Sequence, residues 1–285
     1  MKKIGLIVKL ANPDAVRRAS EMTTWLSGKG ITVYGDGELS RQVSSMKKAS
    51  REELAEIADA LVVLGGDGTM LYAARLLGGK KIPILGVNMG GLGFLTSAGL
   101  DDVHGCLEGL LEGRYETEER MMLSVRILSG EREIAQYRVL NDAVIRSTIA
   151  RLLKLELRIN NEYVTTYRSD GLIVATPTGS TAYSLSASGP ILFPTIHSII
   201  IVPVCPFNLT NRPMVIPDRM VVEVKVSSNH GHAELTLDGQ VDMAVKAGDC
   251  VEVRRAKESV YLVKCAGKSY FGILRERLMW EPKQE

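Results

Sequence analysis

The stretch Ala60-Leu61-Val62-Val63-Leu64 is an unbroken apolar run that stops on Gly65-Gly66-Asp67-Gly68-Thr69, and residues 69–77 then follow at helical spacing. A short run apolar at every position suits a strand covered on both faces, which is the setting of a parallel sheet. Strand, glycine turn and helix in that order define a βα unit, and ligands in such sheets sit at the carboxyl ends of the strands. The neighbouring segments continue the alternation. Residues 3–9 read as a strand, 15–29 as a helix, 31–34 as a strand, and 51–58 as a helix with Ser50 and Glu53 in capping-box spacing. Residues 82–87 form the next strand and 103–111 the next helix. The order βαβα predicts an open parallel α/β sheet.

Near Glu116 the rhythm changes to period two. Leu123 to Ile127, Leu153 to Ile159, Val222 to Val226 and Val251 to Arg254 alternate apolar and polar residues, and Asn160-Asn161 is a hairpin-turn signal. These strands predict a β-rich, sandwich-like second domain. Helical spacing returns at 271–280, so the C-terminal helix is expected to rejoin the first domain. The expected division is therefore 1–117 with 267–285 for the α/β part and 118–266 for the β-rich part.

A length of 285 residues with 45% hydrophobic and 24% charged residues is an ordinary globular composition for two such domains. Lys and Arg number 35 against 33 acidic residues, a net charge of +2, so nothing favours a nucleic-acid backbone as partner. No apolar run approaches the ~20 residues that cross a bilayer. The apolar run at the N-terminus is too short for a signal-peptide core, and a cytoplasmic location is expected. Cys106, Cys205, Cys250 and Cys265 form no CxxC pair and are expected as four core thiols.

The glycines beside Asp67 let backbone turn tightly and approach a ligand, and the following helix offers unpaired N–H groups to a phosphate. A carboxylate there would repel a bare phosphate. It suits a base toward a hydroxyl, a magnesium contact or, more simply, a cap. Neither G-x-x-x-x-G-K-[ST] nor a first-strand G-x-G-x-x-G occurs, which sets aside P-loop enzymes and Rossmann dehydrogenases. A second glycine cluster, Asn88-Met89-Gly90-Gly91-Leu92-Gly93-Phe94-Leu95, would lie beside the first if the two strands are neighbours. In the β-rich half, Tyr167-Arg168-Ser169-Asp170-Gly171 leads through a strand to Thr176-Pro177-Thr178-Gly179-Ser180-Thr181-Ala182-Tyr183-Ser184-Leu185-Ser186. That segment is dense in hydroxyls and glycine, and Tyr183 could stack on a ring. A capped polar loop is the competing reading. Asn141-Asp142, set between apolar strand residues, needs polar partners, either within the protein or from a ribose.

Taken with Leu209-Thr210-Asn211-Arg212-Pro213 and Asp238-Gly239-Gln240, these motifs stand in an order that strongly resembles the ATP-dependent NAD kinases over nearly the whole chain. The Gly-Gly-Asp-Gly-Thr element alone is shared with lipid kinases and phosphofructokinases; the Thr176 to Tyr183 segment is far more specific. The resemblance implies phosphorylation of the 2′-hydroxyl of the adenosine ribose of NAD, with ATP or another phosphoryl donor and a divalent metal, usually Mg²⁺, in a homodimer or homotetramer. By position, Asp67 corresponds to the catalytic aspartate. Asn141 and Asp142 correspond to adenosine-side contacts, Asp170 to a residue near the nicotinamide half, and Thr178, Thr181, Ala182, Tyr183 and Ser186 to the NAD-contacting stretch, with Gly68 beside Asp67. Gly65, Gly66, Gly68, Thr69, Gly90, Gly91 and Gly93 are the candidate ATP-phosphate positions. Asn88, Arg168, Asn211, Arg212, Asp238 and Gln240 stand in the same motifs as further candidates. Three positions depart from the pattern: Phe207 where many relatives carry His, Asp142 where Glu is common, and Ser188 where Gly is frequent. No ligand role is expected for Phe207.

His230-Gly231-His232 is expected as a solvated loop. Lys47-Lys48, Lys80-Lys81 and Arg254-Arg255 are expected in solvent, with a phosphate contact as the alternative for Lys80 or Arg75 near the first loops. The Met121-Met122 pair is expected in the core or at a subunit interface. A lipid or sugar kinase and a non-catalytic nucleotide sensor are the competing functions; the Thr176–Ser186 stretch argues against the first and Asp67 against the second.

Overall fold

The computed structural model describes residues 1–91, 93–100, 102–227, 233–265 and 269–280. The chain forms two compact units, Met1–Glu119 with Val260–Glu285, and Arg120–Ser259. The second crossing falls inside a long strand, where no turn residue marks it.

Unit 1 runs β1 (Lys3–Val8), α1 (Pro13–Gly28), β2 (Thr32–Gly35), α2 (Leu39–Gln42), β3 (Lys47–Lys48), α3 (Arg51–Ile57), β4 (Ala60–Leu64), α4 (Asp67–Leu77), β5 (Pro83–Val87) and α5 (Val103–Leu111). Its strands pair in the order β3-β2-β1-β4-β5, all parallel. Every residue of β4 and β5 is buried, as the apolar runs require. Leu6, Val62, Leu64, Leu85 and Val87 pack with Met22 and Leu26 of α1 and Leu107 and Leu110 of α5. The chain goes from β1 to β2 on one side, while β4 lies on the other. The β1–β4 boundary is therefore the switch point of the sheet, and ligand crevices open at such points.

Helix α1 starts at Pro13, earlier than apolar spacing suggested, because the Asn12 side chain accepts the Asp14 and Ala15 amides at 3.0 and 3.4 Å. The Ser50–Glu53 capping box is present in both directions. The short α2 and β3 were not anticipated; two to four residues cannot display a period. Lys80 pairs with Glu56, so its charge is spent on a neighbour.

Unit 2 holds most of β6 (Glu116–Ser129), β7 (Arg132–Val139), β8 (Asp142–Ser147), β9 (Leu153–Ile159), β10 (Glu162–Ser169), β11 (Gly171–Ala175), a 3-10 turn at Thr178–Thr181, α6 (Tyr183–Ser186), β12 (Ser198–Val204), β13 (Met214–Pro217), β14 (Val222–Val226), β15 (Ala233–Leu237), β16 (Val241–Val245) and most of β17 (Cys250–Lys264). One sheet pairs β10-β9-β14-β17, with β6 beside β17 and β7 beside β6; the other is antiparallel in the order β13-β12-β11-β8-β15-β16. Leu155, Leu157, Val224 and Val253 of the first sheet and Ile145, Leu172, Val174 and Ile201 of the second share one core. This is the expected sandwich. The outer face of the second sheet, with Val144, Ile173 and Val202, is covered by Ala187 and Leu192. Asn160 and Asn161 turn the β9–β10 hairpin with φ of 49° and 66°. The end of β17 pairs with β5 in unit 1 at Tyr261 and Leu262, and α7 (Tyr270–Arg277) follows there.

The expectation of four core thiols is corrected. Cys106 on α5 and Cys265 after β17 form a disulfide, with Cα atoms 5.8 Å apart, and Cys205 is exposed; only Cys250 remains a half-buried thiol. The pair is 159 residues apart in sequence, so no spacing could announce it. Met121 and Met122 are core. His230-Gly231-His232 lies outside the described residues. Among the described residues no helix is long and apolar enough to cross a membrane.

Candidate active site

Asp67 opens α4 at the carboxyl end of β4, next to the switch point. Gly66 is the N-cap, and no side chain caps this helix. A Cβ on Gly65 would lie 2.4 Å from Thr69 Oγ1, so that glycine serves the turn itself. The Asp67 carboxylate does not cap its own helix. Oδ2 accepts the Phe94 amide and Oδ1 the Leu95 amide, both at 3.0 Å, from the loop that follows β5. The pairing of β4 with β5 brings the two glycine clusters together, as adjacent strands would. A Cβ on Gly93 would sit 2.2 Å from Asp67 Oδ1, so the loop reaches the carboxylate only through glycine.

The loop is braced from inside. Asn88, buried, donates to Gly91 O at 2.5 Å and Thr96 Oγ1 at 3.3 Å and accepts the Gly90 amide at 2.7 Å. Its amide is thus spent on the loop. The Gly65 amide bonds Val87 O, the Gly93 amide Thr96 Oγ1, and the Thr69 amide Gly66 O. These positions shape the loops. Gly66, Gly90 and Gly91 are exposed with open space where a Cβ would go. Packing within the chain does not require glycine at any of the three; close approach of a ligand to backbone would. Arg277 of α7 stacks over the Phe94 ring at 5.9 Å, a support no motif signalled.

In unit 2, three segments far apart in sequence meet. Thr176 Oγ1 donates to Leu140 O at 2.6 Å and accepts the Gly179 amide at 3.0 Å, while Thr176 N bonds Asn141 O at 2.8 Å. A Cβ on Gly179 would stand 2.2 Å from Asn141 O, so glycine is obligatory at this crossing. Asp238 accepts the amides of Leu140, Asn141 and Asp142 at 3.1, 2.7 and 3.2 Å. Thr178 is buried and accepts from Arg120 Nη1 at 3.3 Å, and the Thr181 hydroxyl donates to Thr178 O. A groove of about 340 Å³ is lined by Asn141, Asp142, Ala182, Tyr183 and Asp238 among others. Tyr183 is exposed beside it, free to stack. Burial first, and the Asp238 charge second, push the Asp142 carboxyl up to about 7.

The remaining candidates are more dispersed. Asp170 and Arg168 are exposed at the β10–β11 turn, and Arg168 stacks on Phe207 at 4.9 Å. Arg212 turns onto the carbonyls of Leu209 and Asn211 in its own loop. Gln240 and Ser186 are exposed. Sequence reasoning did not find the clamping role of Asp238 or the Arg120–Thr178 bond, since each joins residues of distant segments.

A glycine-bounded carboxylate at the switch point of a parallel sheet is the arrangement of nucleotide-handling α/β enzymes. Residues 4–115 match the family model of the ATP-NAD kinase N-terminal domain, and residues 140–265 that of the ATP-NAD kinase C-terminal domain. An NAD kinase of Geobacter metallireducens is 46% identical over 98% of this chain and 99% of its own, and one of Geobacter sulfurreducens is 45% identical over the same shares. The crystal structure of yeast NADH kinase complexed with NADH shares the fold at a TM-score of 0.93, with 24% identity, over 100% of this chain and 89% of that one. An NAD kinase from Archaeoglobus fulgidus in complex with ATP gives 0.75 at 25% identity over 98% and 97%. The chain belongs to the NAD kinase family, and its activity is the ATP-dependent phosphorylation of NAD.

Proposed function

We propose that the chain transfers the γ-phosphoryl group of ATP to the 2′-hydroxyl of the adenosine ribose of NAD, giving NADP and ADP, with Asp67 as general base. The observation that carries this reading is the Asp67 carboxylate, held by the Phe94 and Leu95 amides at the head of an uncapped helix and flanked by exposed glycines. Each oxygen accepts one amide and keeps a further lone pair for a hydroxyl proton. The hydroxyl oxygen attacks the γ-phosphorus, its proton passes to Asp67, and the bond to the ADP oxygen breaks. Such help contributes about 10²–10⁴ in rate; the rest comes from positioning and charge neutralisation. Gly66 and Gly91 offer backbone to the donor phosphates, and Gly65, Thr69, Gly90 and Gly93 shape the loops that present them, with Gly68 following Asp67 in the same turn. On the NAD side stand Asn141, Asp142, Thr178, Thr181, Ala182, Tyr183 and Ser186, with Asp170 toward the nicotinamide half.

Among the described residues no group of three or more His, Cys, Asp or Glu could hold a metal. A single carboxylate at phosphate-accepting loops fits a Mg²⁺ that would be carried mainly by the triphosphate. When bound, the ion neutralises phosphate charge. The same reading includes a homodimer or homotetramer, checked by light scattering, and a cytoplasmic location.

An assay with ATP, Mg²⁺ and NAD, read by an NADP-specific dehydrogenase, tests the position of transfer. Asp67→Asn is expected to lower kcat by about 10²–10⁴ and leave the KM for NAD within a few-fold. An unchanged kcat places the base elsewhere.

A further inference from the structure

The β15–β16 turn sets two carboxyl groups side by side under opposite conditions. Asp238, at φ 50°, accepts three backbone N–H bonds, from Leu140, Asn141 and Asp142. Three donors on one carboxylate favour its charged form. Asp142 is only 3% exposed and lines the 340 Å³ groove, where burial and the nearby Asp238 charge act on its carboxyl. Its backbone carbonyl accepts the Asp238 amide at 3.0 Å, which locks the two residues together. A buried carboxyl near a second negative charge is disfavoured in its ionised form.

Other charged groups stand nearby: Arg120, buried, donates to Thr178 Oγ1 at 3.3 Å, and Arg146 lines the groove. Arg146, further along β8, is matched by Glu234 on β15 at 2.6 Å and Asp242 on β16 at 3.8 Å. On β11 the residue opposite Asp142 is Ala175, and α6 contributes Tyr183. The balance of groups raises the Asp142 carboxyl, pushed up to about 7, so that it carries its proton on the acid side of that point.

We propose that Asp142 enters the groove as a neutral carboxylic acid and donates a hydrogen bond to an uncharged acceptor atom of NAD, so that this chain binds NAD more weakly once Asp142 ionises. The inference rests on the reading that this groove receives NAD. An acid offers one donor and one acceptor where a carboxylate offers acceptors alone. Ionisation removes the donor and sets a second negative charge beside Asp238.

The test is the KM for NAD from pH 6 to 9 at saturating ATP and Mg²⁺, with calorimetry of NAD binding in buffers of differing ionisation enthalpy. For the wild type, KM is expected to be flat on the acid side and to rise by about tenfold per pH unit beyond the Asp142 transition, with binding at pH 7.5 taking up a fraction of a proton. Asp142→Asn, which keeps a donor but cannot ionise, should lose the pH dependence and the proton uptake whatever its KM; Asp142→Glu should keep both. A wild-type KM constant across the range, or an Asn variant with the wild-type profile, overturns the inference while leaving the kinase reading intact. Should the Asn variant not fold, wild-type proton uptake decides alone. Absence of NADP at every pH would sink the underlying reading with it.

Discussion

Asp67 in unit 1 and Asp142 in unit 2 are the same side chain in two settings. Asp67 is half-buried, and each of its oxygens holds one backbone amide from a glycine loop. Asp142 is buried beside Asp238, which holds three such amides. The contrast teaches what depth does to a carboxyl: burial first, and the Asp238 charge second, push Asp142 up to about 7. The proposed base of unit 1 and the proposed hydrogen-bond donor of unit 2 are thus one residue type in two environments.

Breaking the Asp67 side should have the largest effect. Gly93→Ala drives a methyl toward Asp67 Oδ1, so the loop must withdraw its amides. A loss of about 10²-fold in kcat with little change in the KM for NAD is expected from steady-state kinetics. Comparable losses in both would show that the loop also serves NAD.

Removing the anchor on the other side acts on stability. Asp238→Ala leaves the Leu140, Asn141 and Asp142 amides without their acceptor, a cost of about 3 kcal/mol that denaturant unfolding would register. Asp142→Asn sharpens the contrast in the opposite direction. The native carboxyl, raised to about 7, keeps a proton that the unfolded chain loses near pH ~4. Wild-type stability contributed by this group is thus present at low pH and lost as pH rises from ~4 to ~7. The Asn variant escapes that loss and should be more stable than wild type at pH 8, by about 2 kcal/mol. Equal stability there would mean that folding does not raise the Asp142 carboxyl.

The smallest effect comes from a change that touches neither carboxylate. Ser188 has φ of 65°, a conformation glycine adopts without strain. Ser188→Gly should raise stability by up to ~1 kcal/mol and leave both pH profiles in place. It also accounts for the departure noted at this position, since the backbone conformation itself favours glycine.

The parallel sheet, the glycine turn at Asp67 and the sandwich were legible because each depends on local periodicity or on residues adjacent in the chain. The pairing of β4 with β5, left conditional by the sequence, is supplied by the structure. The Asp238 clamp, the Arg120–Thr178 bond and the Cys106–Cys265 disulfide were not legible. They join segments 58 to 159 residues apart, and nothing in their spacing signals contact. Motif membership marked Asn88 and Asp238 as candidates, yet both spend their side chains on the protein's own backbone.

Residue order alone determined which segments become strands, which glycines a turn needs, and that a carboxyl group would stand at the mouth of a parallel sheet. Only the tertiary structure decided the surroundings of each carboxyl group. Burial, neighbouring charge and converging N–H groups act on an acid together, and they arrive from segments that the chain brings together only on folding.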